Sequence, residues 1–471
     1  MVINLATIDF AGGASGGGGK PAVLQEKTAT VVSNGSQTIL PDEGFDGLSS
    51  VNINAAITGA SSAIDFTIIG YSDEFSAELN AKFNNDVAYS KTLYDNWYAG
   101  TNSAMDLYKN DTKLVYAPHI YTRYTTIMRA MFEGCTNLTT VPELDARSAN
   151  TMANMFYGCS KLTSVKLANT SNVTTMAHMF YNCSSLASVQ AFDTSNVTEM
   201  YQMFYGCSSL TSVPEFDTSN VTDMYKMFEN CTNITTVPPL DLRSATRTSY
   251  MFTKCSKLTS VEFVNANNLT GTTHTFDGCT KLISVPEIDT SNVADMSYMY
   301  QDCQSITTVP SINTSKATSI QYLFNKCYAL EVIPELDTSV CTKFNAAFDN
   351  LRAIKRIEGI NFRAATNNSW SSTYFIVNTS NDTYIRHLLI KELGTQSGCT
   401  TIPANVLSVW GVNTDAVPTA RQSLIDSLIT YSFDRAAAGY SNCTIKLSTN
   451  TKALLTDDEK SQIIAKGYVI A

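Results

Sequence analysis

Nine of the twelve cysteines stand 24 residues apart, at Cys135, Cys159, Cys183, Cys207, Cys231, Cys255, Cys279, Cys303 and Cys327. Thiols at a fixed spacing could be metal ligands, disulfide partners or core. Zinc sites use close Cys-x-x-Cys pairs, which this array lacks. Adjacent rungs of a stacked coil would set Cα atoms ~4.8 Å apart, within disulfide range. An odd array cannot pair fully, and small apolar thiols are ordinary core. Free buried thiols are therefore expected, as in a reducing cytoplasm.

A second file is acidic or amidic. Asp145, Asn169, Asp193, Asp217, Asp241, Asn265, Asp289, Asn313, Asp337 and Asn361 recur every 24 residues. A row of carboxylates could bind Ca²⁺, but Asn removes the charge that a hard cation requires. The alternative is structural. Short side chains bond backbone groups two residues on and hold a tight turn, here as an inward ladder for groups the coil would strand. The pairs Glu143/Asp145, Glu215/Asp217, Glu287/Asp289 and Glu335/Asp337 are tiled, whereas a glycosidase acid/base pair would be unique.

Other catalytic patterns fail on inspection. His178 and His274 share a phase four rungs apart, roughly 19 Å at ~4.8 Å per rung, too far for a shared metal. The run from Gly13 to Pro21 imitates a phosphate loop, with Ala14 where the first Gly is needed and Pro21 where Ser or Thr would hold Mg²⁺. Gly13-Ala-Ser-Gly-Gly17 spells GxSxG, but it lies in a glycine tether, so Ser15 is no nucleophile. No catalytic residue, metal ligand or cofactor is expected, and the chain reads as a non-enzyme.

The elements that carry these residues form a repeat. Three residues before the cysteines stand Phe132, Phe156, Phe180, Phe204, Phe228, Phe252, Phe276, Tyr300 and Phe324, in phase with Tyr108 and Phe348. Leu or Ile follows each cysteine by three residues, and Val or Ile by six. A fixed period in this range means a solenoid, here of about ten or eleven rungs with degenerate ends. The spacing in Val221–Phe228 predicts a short helix, with Asn220/Asp223, Asn196/Glu199 and Asn292/Asp295 as capping pairs. Leu210–Phe216 predicts a strand that Pro214 ends. The expected fold class is α/β, a leucine-rich-repeat solenoid of 24-residue rungs with a small N-terminal β module and a C-terminal α/β cap.

Residues 1–20 read as a docking peptide and Gly-rich tether, 21–58 as a small β module turned at Asn34-Gly35 and Asp42-Glu-Gly44, and 59–105 as an N-terminal cap, helical around Phe75 to Phe83. The solenoid spans 106–362, and 363–471 is an α/β capping module. In that module, helical spacing marks Tyr384–Leu393 and Ala420–Arg435, and Cys443–Ser448 alternates as a strand. Thr456-Asp-Asp-Glu459 is a capping box, and Lys466-Gly467 a helix stop.

The units MFYGCSSLTSVPEFDTSNVTDM (203–224) and MFYGCSKLTSVKLANTSNVTTM (155–176) resemble repeats of the BspA-like leucine-rich-repeat family of bacterial surface proteins, over roughly 105–362. The resemblance implies adhesion and recognition. The segment LQEKTATVVSNGSQTILPDEGFDGLSSVNIN (24–54) resembles a short β module of bacteriophage tail and fibre proteins. Net charge is −10 and pI about 5.0, which disfavours nucleic acid as a partner. No stretch has the length of a membrane span, and the N-terminus lacks the basic region of a secretory signal.

Together these features predict a virion protein made in the host cytoplasm, a head or tail fibre or appendage. Its N-terminal segment would contact other virion proteins, and its repeat surface a host glycan or protein. A homo-oligomer is expected. The alternative is a bacterial cell-surface adhesin or glycan-binding protein. Variable positions in the strand half are the candidate binding surface: Lys166, Gln190 and Glu262 at one phase, Glu215 and Pro239 at the next.

Overall fold

The computed structural model describes strand segments within residues 3–70, then residues 103–117, 122, 125–361, 363–364, 387–391, 401–402, 421–422, 425–447 and 452–471. The chain divides into two compact units, Met1–Thr101 and Asn102–Ala471. In the first, β1 (Ile3–Asn4), β2 (Gln25–Val31) and β5 (Ile64–Gly70) form one sheet in the order β1-β5-β2. β3 (Gln37–Ile39) and β4 (Val51–Ile53) form an antiparallel pair. β5 therefore extends strand structure past residue 58, into the segment expected to be a helical cap. The helical pattern at Phe75 to Phe83 lies outside the described residues, as does the tether.

The second unit is a right-through stack of rungs, each in parallel register with the next. Bridges join Ser103 to Ile127, and then Ile127, Thr151, Thr175, Glu199, Asp223, Arg247 and Gly271 in succession, every step 24 residues. A second ladder runs through Tyr116, Thr140 and Ser164 and resumes at Thr236 with Ser260. Short parallel pairs reinforce it: β6 (Leu144–Asp145) with β7 (Leu167–Ala168), and β8 (Leu240–Asp241) with β9 (Phe263–Val264). β10 (Val332–Ile333), β11 (Arg356–Asn361) and β12 (His387–Lys391) form one parallel sheet.

Among the described residues of 103–361 there is no helix, and the expected helical half of the rung is a chain of turns. The amides of Met224, Lys226, Phe228 and Asn230 donate to Arg247, Ser249, Met251 and Thr253 of the next rung. The intervening amides of Met227, Glu229 and Cys231 donate three residues back. Alternate amides thus serve the neighbouring rung and the local turn, so the backbone is satisfied without i→i−4 bonding. Lys226 (φ 57°) and Asn230 (φ 64°) are left-handed, a conformation no α-helix contains. Both positions recur in every rung, and the second is filled mostly by Gly or Asn, as at Gly134, Gly158, Asn182, Gly206 and Gly278. The α/β assignment fails for the rungs because this αL signal outweighs the helix-like spacing.

The predicted capping pairs also part. Asn220 Nδ2 donates to the Ser195 carbonyl at 2.7 Å, and Asp223 Oδ1 accepts the Tyr225 amide at 2.9 Å. Five of the six residues of the Asp-Thr-Ser-Asn-Val-Thr block each have a separate task, Asn220 included. Asp217 caps the amide of Ser219, Thr218 donates to the Asp241 carbonyl, Val221 is core, and Thr222 donates to the Thr198 carbonyl.

The core is a set of identical files. Phe132, Phe156, Phe180, Phe204, Phe228, Phe252 and Phe276 are fully buried and offset-stacked, with centroids 5.3–5.8 Å apart along that series. Tyr108 and Phe348 extend the stack at either end. The nine cysteines of the array lie beside it as free thiols with no solvent exposure.

Beyond residue 362, His387–Lys391 is strand β12 rather than helix, because its backbone pairs with β11. Asp426–Thr430 is a five-residue π-helical turn. β13 (Thr401–Ile402), β14 (Cys443–Ile445) and β15 (Tyr468–Ile470) form a parallel sheet. Thr456 and Glu459 form the capping box of helix α1 (Asp457–Ala465), and Gly467 (φ 86°) follows its end. No helix among the described residues is long and apolar enough to cross a membrane.

Candidate binding surfaces of the solenoid

The Asp/Asn ladder faces outward. Asp193, Asp217, Asp289, Asn313 and Asp337 are exposed, and Asp145, Asp241 and Asn361 half-buried. The inward polar file is the next residue, as in Thr170, Thr194, Thr218 and Thr290. Each is buried and donates at 2.8–2.9 Å to the carbonyl of the ladder residue one rung on. The physical reason is the Asx turn itself. Asp or Asn Oδ1 accepts the amide two residues ahead at 145, 193, 217, 241, 289, 313, 337 and 361, which holds the side chain over its own loop.

Asn169 and Asn265 differ from the rest. Both are left-handed (φ 58° and 56°), and each donates Nδ2 to the aspartate one rung back, Asp145 and Asp241. Those two aspartates also hold Arg147 and Arg243. Hydrogen bonds from Arg243 hold the Asp241 carboxyl down at about 2. Among the described residues, no three His, Cys, Asp or Glu side chains are grouped to hold a metal.

The strand-face candidates are all exposed: Lys166, Gln190, Glu215, Pro239 and Glu262. They stand on successive rungs from the second to the sixth and do not converge. Gln190 Nε2 donates to the Leu167 carbonyl at 3.1 Å, while the main-chain carbonyls of Lys166 and Glu262 accept the amides of Leu144 and Leu240. This face is a flat row of single side chains.

A different face, not singled out from the sequence, is denser. Tyr157, Tyr181 and Tyr205 stack with centroids 4.4 Å apart. Tyr250, His274, Tyr298 and Tyr322 form a second stack at 4.2–4.7 Å. Lys226 lies between the two, 4.8 Å from the Tyr250 ring and 5.8 Å from the Tyr205 ring, and 3.0 Å from Glu229 Oε2. Burial and the neighbouring tyrosines push the Tyr181 hydroxyl up to about 12.

Beside the first stack lies a groove of about 530 Å³. It runs from the exposed Met105 through Arg129, Ala153 and Ala177 to Glu199 and Tyr201, and His178 also lines it. His178 meets Tyr201 edge-on at 4.9 Å and Tyr181 at 5.8 Å, so it is the wall shared by groove and stack. Burial lowers the His178 pKa.

The groove is local because the solenoid has a longer period. CTNLTTVPELDARSAN (135–150) returns as CTNITTVPPLDLRSAT (231–246), four rungs later, and His178 returns as His274. In the second copy Asp223, Tyr225, Arg247 and Gly271 replace Ile127, Arg129, Thr151 and Thr175. Arg247 lies 4.2 Å over the Tyr225 ring and pairs with Asp223 at 2.7 Å. A Cβ on Gly271 would meet Arg247 Cγ at 3.1 Å, so the glycine gives the arginine its room. The same backbone is open in one half and filled in the other. This 96-residue super-period was the available sequence signal, and the shared phase of the two histidines is its trace.

The family described as "Mycoplasma protein of unknown function, DUF285" matches residues 119–190, 150–263 and 246–360, overlapping stretches that together cover more than half of the chain. The chain belongs to this family. Both aromatic stacks, and every residue lining the groove except Met105, lie within the matched stretches. No curated protein matches the chain at a significant level. Among solved structures, an internalin (InlF) of Listeria monocytogenes is 15% identical, covering 59% of this chain and 78% of its own, with TM-score 0.25. TLR13 in complex with ssRNA13 is 12% identical over 72% of this chain and 53% of its own, with TM-score 0.21. The Drosophila Toll–Spätzle complex is 13% identical over 68% and 49%, with TM-score 0.22. The chain spans about half the length of these two receptors.

Proposed function

We propose that this DUF285 chain is a non-enzymatic recognition protein, a head or tail appendage of a bacteriophage whose rungs present a rigid surface to a host cell. One observation carries the recognition reading. On one repeated backbone, equivalent positions are open around Arg129 and Ala153 and filled by Tyr225 and Arg247 four rungs later. A scaffold that keeps its core files and exchanges its surface chemistry suits ligand recognition. The tiling of the acidic pairs supports a non-enzymatic role.

The virion placement rests on the resemblance of residues 24–54 to phage tail and fibre modules. In this reading the N-terminal segment docks on other virion proteins, and the BspA-like repeats face a host glycan or protein as part of a homo-oligomer. A second reading is a bacterial cell-surface adhesin, favoured by a family description that names Mycoplasma proteins. Mass spectrometry of purified, nuclease-treated particles separates the two. The virion reading predicts the chain at a fixed small ratio to the capsid protein. Recovery in the cell-envelope fraction alone would replace it with the adhesin reading.

A further inference from the structure

The groove beside His178 has hydrogen-bonding groups without a partner among the described residues. Neither the Arg129 guanidinium nor the Glu199 carboxylate has an ion-pair partner among the described residues. The hydroxyl oxygens of Thr151 and Thr175 accept the amides of Ala153 and Ala177, at 3.3 and 3.4 Å, and neither hydroxyl donates to another described residue. Donors and acceptors therefore line one trough together with the small side chains of Ala153 and Ala177, the apolar Met105 and Ile127, and Tyr201. The trough crosses five rungs, those of Met105, Arg129, Ala153, Ala177 and Tyr201, a run of about 19 Å at ~4.8 Å per rung. Its volume falls within the roughly 300–1,000 Å³ of small-molecule sites.

We infer that this groove binds a linear, hydroxyl-rich oligosaccharide laid along the solenoid axis. The inference rests on the recognition reading and names its ligand class and location. A sugar hydroxyl both donates and accepts, so it can serve Arg129, Glu199, Asn154 and the threonines alike. A pyranose ring offers an apolar face to Tyr201. An extended peptide fits less well. Strand addition needs an open edge, and here the backbone at 127, 151, 175 and 199 is already bridged rung to rung. A polyanion would meet one arginine, one glutamate and a chain of net charge −10.

The molecule supplies its own control. Ile127→Asp, Arg129→Tyr, Thr151→Arg and Thr175→Gly together copy the filled arrangement of Asp223, Tyr225, Arg247 and Gly271, which the same fold already accommodates. Arg129→Ala and Glu199→Gln remove single exposed groups. The full-length protein and these variants would be applied to an array of immobilised linear oligosaccharides of neutral hexoses, N-acetylhexosamines and uronates. In parallel, adsorption to bacterial cells treated with periodate or with protease would be measured.

The expected result is retention of one neutral class by the native protein, at least tenfold weaker binding by the filled variant at unchanged circular dichroism, and cell adsorption lost after periodate. Equal oligosaccharide binding by the filled variant would overturn the groove and leave recognition standing. Adsorption that is protease-sensitive and periodate-resistant would overturn the oligosaccharide in favour of a protein ligand. Absence of both array binding and cell adsorption would overturn the recognition reading together with the inference.

Discussion

The thiol of Cys231 donates to the carbonyl oxygen of Phe204, 27 residues earlier, at 3.0 Å. That carbonyl also accepts the amide of Cys207 at 3.1 Å, so one main-chain oxygen ties two rungs together. The same bond recurs from Cys135 to Tyr108, from Cys159 to Phe132 and onward to Cys327 and Tyr300. Cysteine suits the position because it fills a small apolar site and still carries a weak donor.

Replacing one thiol should therefore have a modest, measurable cost. Cys231→Ala leaves a small void and deletes the bond, for an expected loss of about 1–2 kcal/mol. Cys231→Leu forces methylenes into a fully packed file and should cost more. Urea unfolding of the two variants checks the order.

The thiol ladder also predicts an alkaline limit. Burial raises the cysteine pKa values, from 9.0 to about 12 at Cys135, and well above the ordinary value at Cys207, Cys255 and Cys303. The unfolded chain would then release protons that the native state retains. Stability should be fully present below about pH 9 and fall as pH rises through 12. Thermal melts from pH 7 to 11 should show this fall, and a thiol reagent at pH 8 should label these cysteines only after unfolding.

At the acid end the sign reverses. Hydrogen bonds from Arg243 lower Asp241 from 3.8 to about 2, and serine contacts lower Asp193 and Asp289. The contribution is present above pH 4 and is lost as pH falls toward 2. These carboxylates are partly or fully exposed, so the effect should be small and salt-sensitive. A carbon-13 titration of the Asp241 carboxyl, compared with Arg243→Ala, checks it. The midpoint should rise toward 3.8 in the variant.

The repeat itself can be edited. Deleting residues 184–207 removes one period and brings Ser208 into the place of Ser184, so the variant should fold with a moderately lower melting temperature. Deleting 184–206 shifts every later file by one position and should abolish cooperative unfolding. Circular dichroism melts of the pair measure the difference.

Period, core files and buried thiols were legible in the sequence because each rung repeats the same burial. The turn half reads as helix in the sequence because apolar spacing at 221, 224, 227 and 228 fits both a helix and successive turns. Gly and Asn before the cysteine hold the distinction. The sequence of the Asp/Asn ladder discloses its local bond but not its facing, since an Asx turn bends the side chain over its own loop while Thr218 and its equivalents point in. The groove escaped because it depends on what is absent. Ala153 and Ala177 stand where Ser249 and Thr273 stand four rungs on, and only the structure shows that Arg247 fills the space in the second copy.

Adsorption of the purified full-length protein to bacterial cells from the source culture decides whether the rungs form a recognition surface. A recognition surface binds saturably and releases no cell-wall polymer into solution. Absence of binding, or binding accompanied by released oligosaccharide fragments, would contradict a non-enzymatic recognition surface.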